Sequence, residues 1–295
     1  MQQLKNPSDN LASFLIALRG AGNSDNTVKS YQSDLEQFAV WYKGTTGEDL
    51  RPDLVTSLDL GEYRQYMLTV KEYSPATVNR KLAAIRAWLT WARDTGLINH
   101  LPVMPKQVAQ QKLAPQALAR NEVNALLRAV ERGGSKRDMA VVAVLLYCGL
   151  RVSELVNLRV QDVEVNERSG KLTVRGKGAK MRDVPVRLEA RRALAAYLEV
   201  RKATFKNEKL FLGQRGPLTV RGVAKILEKY AYQAKLEGLH PHSLRHTCAK
   251  NLVDSGVSLD KVAAILGHES LDTTAIYTKA SFEDLARAMD GDASN

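Results

Sequence analysis

The chain is poor in the features that mark secreted, membrane and metal-built proteins. It has two cysteines in 295 residues, Cys148 and Cys248. Two thiols cannot supply the dense cross-links of a small secreted fold, and their spacing fits no zinc site. Each sits in an apolar or helical setting, so both are expected to be reduced and buried. Long apolar runs are missing too. The longest, Met139 to Leu150, falls short of the roughly 20 residues that cross a bilayer. The first residues, MQQLKNPSDN, lack the basic-then-apolar pattern of a signal peptide. A cytoplasmic location and no membrane partner are therefore expected. There is no H-E-x-x-H and no acidic residue at ligand spacing from the histidines, so no metal is expected. No internal repeat or low-complexity segment is visible.

What the chain does have is positive charge. The formal net charge is +11, unevenly spread: +2 over residues 1–114 and +9 over residues 115–295. A basic balance of this kind prefers a polyanionic partner, although a solvated basic surface would read the same way. The apolar fraction, 44%, is ordinary for a globular chain, and the length allows two domains with separate cores.

The first third reads as helices. Apolar stripes run over Ser8–Arg19 and Asn26–Tyr42, and Leu60–Val70 is a shorter candidate. Ser74–Thr95 is the clearest helix: Ser74 can cap it, Pro75 fits its first turn and Gly96 stops it. Its apolar face holds Val78, Leu82, Ile85, Trp88 and Leu89. Its basic face, with Arg80, Lys81, Arg86 and Arg93, is either solvated or follows a phosphate backbone. Leu101–Pro115 has three prolines and no clear period, and reads as a linker. Beyond it, helices are expected at Asn121–Glu131, Lys136–Cys148, Val152–Leu158, Leu188–Ala203, Val220–Glu237, Pro241–Ser255, Ser258–Leu266 and Leu271–Tyr277. Short strands are expected at Val163–Val165, Lys171–Arg175 and Arg182–Val186. The outline is an all-α domain followed by a mainly α domain with a small antiparallel sheet.

Six residues in the second part carry chemistry: Arg151, Lys177, His242, Arg245, His268 and Tyr277. Guanidinium groups stay charged and can clamp non-bridging phosphate oxygens in pairs, which suits Arg151 and Arg245. Either could instead pair with a carboxylate. Glu154 lies three residues after Arg151 on the same helical face and could hold it in place. His242 and Arg245 follow Pro241 on one side of a helix start, where His242 could relay a proton. His246, one turn on, reads as packing. Lys177 lies in a tight glycine-rich turn, with Lys180 as a competitor. There it is either solvated or reaches DNA to protonate a leaving oxygen. His268 is a helix cap or a donor to phosphate. Tyr277, with a phenol pKa near 10, is a packed side chain or a nucleophile that needs activation. Four of the five histidines fall within 29 residues.

In order, GLRVSEL, GKGAKMRDVP, HPHSLRHTCA and LGHESLDTTAIYT resemble the tyrosine recombinase (phage integrase) family over nearly the whole chain. The size is similar to that of its two-domain Xer members. The resemblance implies the DNA breaking–rejoining fold: a helical SAM-like core-binding domain over 1–104, a linker over 105–115, a mixed α+β catalytic domain over 116–280, and a C-terminal tail over 281–295. It implies that Arg151 and Arg245 hold the scissile phosphate and that Glu154 supports them. Lys177 would be the general acid, His242 the handler of the nucleophile's proton, and His268 a phosphate support. Tyr277 would form a 3′-phosphotyrosyl intermediate on the way to a Holliday junction. No cofactor or metal is then needed. The implied partners are double-stranded DNA with inverted-repeat sites and a homo-tetramer on synapsed DNA, with a related recombinase or accessory protein as a further option. Arg80, Lys81, Arg86 and Lys180 are the DNA-contact candidates. After Tyr277 the run TKASFEDLARAMD departs from the Xer pattern. A mobile-element resolvase or integrase is therefore expected ahead of Xer-type dimer resolution. Type IB topoisomerase-like relaxation and a non-cutting regulator are the alternatives. Phe282, Leu285, Ala286 and Met289 fall at helical spacing. They would pack either on their own domain or on a neighbouring protomer.

Overall fold

The computed structural model describes residues 7–110, 117–176, 181–201, 209–267 and Thr274. The chain divides into two compact units, Met1–Lys112 and Leu113–Asn295.

The first unit is helical. Helices α1 (Pro7–Gly20), α2 (Asp25–Thr46), α3 (Ser57–Thr69) and α4 (Pro75–Asp94) are the ones described. Local chemistry sets their starts. Ser24 and Ser74 each accept a hydrogen bond from the backbone N–H three residues on, and Pro75 occupies the first turn of α4. Helix α3 begins at Ser57, three residues before the expected Leu60. Thr56 and Asp59 cap it reciprocally there. The core joins Leu35, Phe38 and Tyr42 of α2 to Tyr63 of α3 and to Val78, Ile85 and Leu89 of α4.

One expectation for α4 is corrected. Lys81 does not lie on an open basic face: it is buried, with 3% exposure. Its ammonium donates to Asp34 Oδ1 and to Gln37 Oε1, both at 3.0 Å. Arg80 donates to the other oxygen of the buried Asp34. Helix α2 places a carboxylate against α4, and a charge this deep needs a partner. Arg86 is exposed, while exposed Arg93 pairs with Asp94.

The expected linker region is tied to this unit up to Val108. Asn79 on α4 donates to Val108 O at 2.9 Å and accepts from Val108 N at 2.8 Å. Ser57 Oγ accepts from Val103 N.

The second unit is built around α6 (Lys136–Cys148). Every residue from Ala140 to Leu146 is buried. A helix with no polar face in its middle must be surrounded, and α6 packs against α5 (Arg120–Arg132), α8 (Leu188–Val200), α9 (Val220–Ala234) and α10 (Pro241–Asp254). Strands β1 (Val163–Val165), β2 (Gly170–Arg175) and β3 (Met181–Pro185) form an antiparallel sheet in that order. Its register pairs Val163 with Leu172 and Leu172 with Val184. Leu172, Val174 and Val184 point inward, while Thr173 donates to Asp183 on the other face. A two-residue hairpin, β4 (Leu212–Gly213) and β5 (Gly216–Pro217), is not foreshadowed by any period.

Two helices of this unit stop three residues earlier than expected. Helix α8 ends at Val200, where Arg201 turns to bond the carbonyls of Lys209 and Leu210. Helix α9 ends at Ala234 because Lys235 takes a left-handed φ of +54°. Short helices α7 (Val152–Asn157) and α11 (Leu259–Leu266) complete the frame of the site. Among the described residues, no helix is long and apolar enough to cross a membrane.

Candidate active site

The site grows from the end of α11. The last carbonyls of a helix have no intrahelical partner and carry the negative end of its dipole. Three arginines, rooted in three other elements, take three consecutive carbonyls. Arg182 on β3 donates Nε–H to Ile265 O at 3.1 Å. Arg245 on α10 donates to Leu266 O at 2.7 Å. Arg151, the residue that caps α7, donates to Gly267 O at 2.8 Å. Arg245 also reaches Gly149 O, the residue that ends α6.

Gly149 shows why the elements can come so close. Its φ is +62°, and a Cβ there would lie 2.5 Å from Leu266 Cδ2 and 3.1 Å from Cys248 Sγ. Only glycine accepts both the backbone geometry and the crowding. The two cysteines are free and buried beside this junction. Burial pushes the Cys148 thiol up and the Cys248 thiol up to about 11.

Glu154 organises the arginines. Its Oε1 accepts from Arg151 Nη1 at 2.9 Å and from Arg182 Nη1 at 2.8 Å. Its Oε2 accepts from Arg182 Nη2 at 2.9 Å and from the Arg151 backbone N–H at 2.8 Å. The last bond caps α7, so one carboxylate starts a helix and aligns a guanidinium. Burial alone would raise its pKa. Hydrogen bonds from Arg182 and Arg151, with the charge of Arg182, outweigh burial and hold the carboxyl below its usual range. The two sequence readings of Arg151, phosphate ligand and partner of Glu154, are compatible in this geometry. Its side chain keeps 37% exposure. Among the described residues, its guanidinium donates through two of its five N–H groups. Arg245 is deeper, at 4% exposure.

The histidines line the start of α10. His240 caps it, accepting the Ser243 N–H on Nδ1 at 2.9 Å, so that nitrogen carries no proton. The His242 ring lies 6.3 Å from His240 and 6.4 Å from His246. Desolvation, then His240, Arg245 and Arg151, lower the His242 pKa. The residue is exposed at the start of α10. A neutral imidazole beside two arginines can accept a proton. His246 is half-buried, and desolvation together with its charged neighbours lowers its pKa to about 4.

Arg151 and Arg245 thus meet at the end of α11, with Glu154 behind Arg151, and His242 at the start of α10 within electrostatic reach of both arginines. Lys177, Lys180, His268 and Tyr277 lie outside the described residues, as does the tail over 281–295. So does the expected Leu271–Tyr277 helix, except Thr274, which is helical and buried. Sequence reasoning gave no role to Arg182. It sits in the quoted motif GKGAKMRDVP, but its partners are 28 and 83 residues away. Among the described residues, no three His, Cys, Asp or Glu side chains gather as a metal site would require.

Comparison with known proteins identifies the family. The phage integrase family model matches residues 116–284, and that of the phage integrase N-terminal SAM-like domain matches residues 11–97. The chain is 35% identical over 288 residues to the tyrosine recombinase XerC of Staphylococcus aureus, covering 93% of each protein. Its fold is similar to that of the XerH site-specific recombinase bound to difH substrate in a pre-cleavage complex. The TM-score is 0.71 at 20% identity, covering 100% of this chain and 99% of that one. It is also similar to the Tn1549 transposon integrase in complex with transposon right end DNA, with a TM-score of 0.73 at 20% identity over 97% and 99% of the two chains. Fold and matches together define a DNA strand-transferring enzyme. The chain belongs to the phage integrase family, the tyrosine recombinases.

Proposed function

We propose that this protein is a site-specific recombinase that cleaves and rejoins double-stranded DNA through Tyr277. The observation that carries the reading is the convergence of Arg151 and Arg245 on one helix end, with a His242 of lowered pKa in electrostatic reach of both, in a chain of this family. Arg151 and Arg245 bind the non-bridging oxygens of the scissile phosphate, where guanidinium pairing is strongest. The Tyr277 oxygen attacks phosphorus and its proton passes to His242. The bond from phosphorus to the 5′ oxygen breaks, and Lys177 protonates that oxygen. His268 adds a hydrogen bond to the phosphate. The 3′-phosphotyrosyl bond retains the energy of the broken one. A 5′ hydroxyl from a second strand reverses the step and opens the way to a Holliday junction.

The biological role we favour is Xer-type resolution. The XerC relatives support it over the mobile-element role that the tail suggests. The DNA site would consist of inverted repeats, bound by a tetramer on two synapsed copies. The 1–104 region would bind one side of the DNA, with Arg86 as a contact, and the 116–280 region would cleave.

The test uses a nicked duplex carrying two inverted half-sites, selected from random sequence by binding to the protein. The wild type should form a covalent adduct stable to denaturant. Tyr277→Phe should bind equally well and form none. An adduct formed by the variant would overturn the assignment of the nucleophile.

A further inference from the structure

Arg182 is the one arginine at the helix end that the proposed chemistry does not use, yet its side chain donates three hydrogen bonds. It forks both terminal nitrogens onto the two oxygens of Glu154 and sends Nε–H to Ile265 O. Its side chain is 16% exposed, against 37% for Arg151. It faces the carboxylate, whereas Arg151 keeps donors for an outside anion.

The division of Glu154 between its two partners is unequal. Arg182 holds both oxygens, while the Arg151 guanidinium holds Oε1 alone. The second oxygen is filled by Arg182 and the Arg151 backbone N–H. A carboxylate and a guanidinium left to themselves prefer two parallel bonds. With Arg182 in place, Glu154 cannot give Arg151 that second bond. The charge balance points the same way. Three arginines and one glutamate leave two net positive charges at the site, whereas without Arg182 only one would remain.

We propose that Arg182 is a positioning residue for strand cleavage: it occupies Glu154 so that Arg151 stays singly bound and free to grip the scissile phosphate. Its bond to Ile265 O fixes the same unit against the end of α11. Without Arg182, Glu154 closes on Arg151 and draws it off the phosphate. This inference rests on the recombinase reading above.

A pair of variants separates a positioning role from a structural one. Arg182→Gln should bind the selected duplex within about three-fold of the wild type. It should form the covalent adduct on the nicked site about 100-fold more slowly in single turnover, as expected when a transition-state contact weakens. Adding Glu154→Gln should recover part of that rate, because the residue that traps Arg151 is then neutral. In the wild-type background the same Glu154→Gln change should slow cleavage. A merely structural Arg182 would give the opposite pattern, with the double variant slower than either single one. That pattern overturns the proposal. So does a wild-type rate for Arg182→Gln, or DNA binding lost together with cleavage.

If Arg182→Gln does not fold, Arg182→Lys replaces it. Lysine keeps the charge but not the fork, so cleavage at least ten-fold slower with binding kept is expected, and the wild-type rate overturns the proposal. Wild-type protein runs alongside. Its failure to form an adduct would sink the recombinase reading and this inference with it. An adduct that forms normally in both proteins sinks the inference alone.

Discussion

Gly267 closes α11 with a φ of +66°, and a Cβ built there would lie 2.8 Å from both Cζ and Nη1 of Arg182. That guanidinium is tied to Glu154 and to Ile265 O, so it cannot swing aside as a free side chain would. Gly267→Ala therefore carries two costs. Placing an L-residue in the left-handed region costs roughly 1–2 kcal/mol. Displacing Arg182 from at least one charge-assisted bond costs roughly another 1.5–3 kcal/mol. We expect a total near 3 kcal/mol, which for a domain of this size lowers the melting temperature by roughly 6–12 °C. Gly256→Ala is the matched control. Gly256 also has a left-handed φ, +78°, but a Cβ there meets nothing within 4 Å. It should lose only the backbone part, roughly 1–2 kcal/mol. Calorimetry of the full chain gives both values. All three tryptophans, Trp41, Trp88 and Trp91, lie in the first unit, so tryptophan fluorescence tracks that unit separately. Equal losses for the two variants would show that Arg182 yields without cost, and would refute the picture of a fixed guanidinium.

Three further outcomes are expected. The His242 pKa is lowered, so the neutral form persists below pH 6.5. Adduct formation should stay level from pH 8 down to about 6.5 and fall only in more acid solution. A midpoint above 6.5 would remove His242 as the proton acceptor. His246 makes a separate, structural contribution: its pKa is 6.5 unfolded and about 4 folded. The stability it protects is complete above pH 6.5 and is lost as pH falls towards 4. After discounting for solvent screening the loss is about 1.5 kcal/mol. His246→Gln should flatten stability across that window, and an unchanged slope would count against it. In the first unit, Lys81→Ala removes the buried partner of Asp34 but leaves Arg80 on its other oxygen, so it should cost roughly 1.5–3 kcal/mol of that unit's stability, read by tryptophan fluorescence in urea. A loss below about 1 kcal/mol would mean that the pair is not the anchor its burial suggests.

Much of the fold is legible in the sequence where local chemistry decides. Helix α6 spans the expected residues because Ser135 caps it and Gly149 ends it. Strand β1 likewise spans the expected residues. Boundaries drift where the deciding group is remote or lacks a pattern, as at Arg201 and Lys235. The basic face of α4 shows the same limit. A helical wheel places Lys81 correctly on the helix but cannot see that α2 brings Asp34 against it. In the site, Arg151 and Glu154 were readable together because they are three residues apart. Arg182 was not, because its meaning depends on contacts that only folding creates.

The three arginines at the end of α11 also constrain how this chain can change in length. Each carbonyl from Ile265 to Gly267 answers to a side chain anchored on a different element. Inserting one residue within α11 would turn everything beyond it by about 100° and advance it by about 1.5 Å. All three bonds would fail at once, and the polypeptide leading to Tyr277 would depart in a new direction. The Asn166–Ser169 turn bonds mainly to itself and to Arg191, so it can lengthen at small cost. Insertions and deletions should therefore accumulate at that turn and be purged from the eight residues of α11.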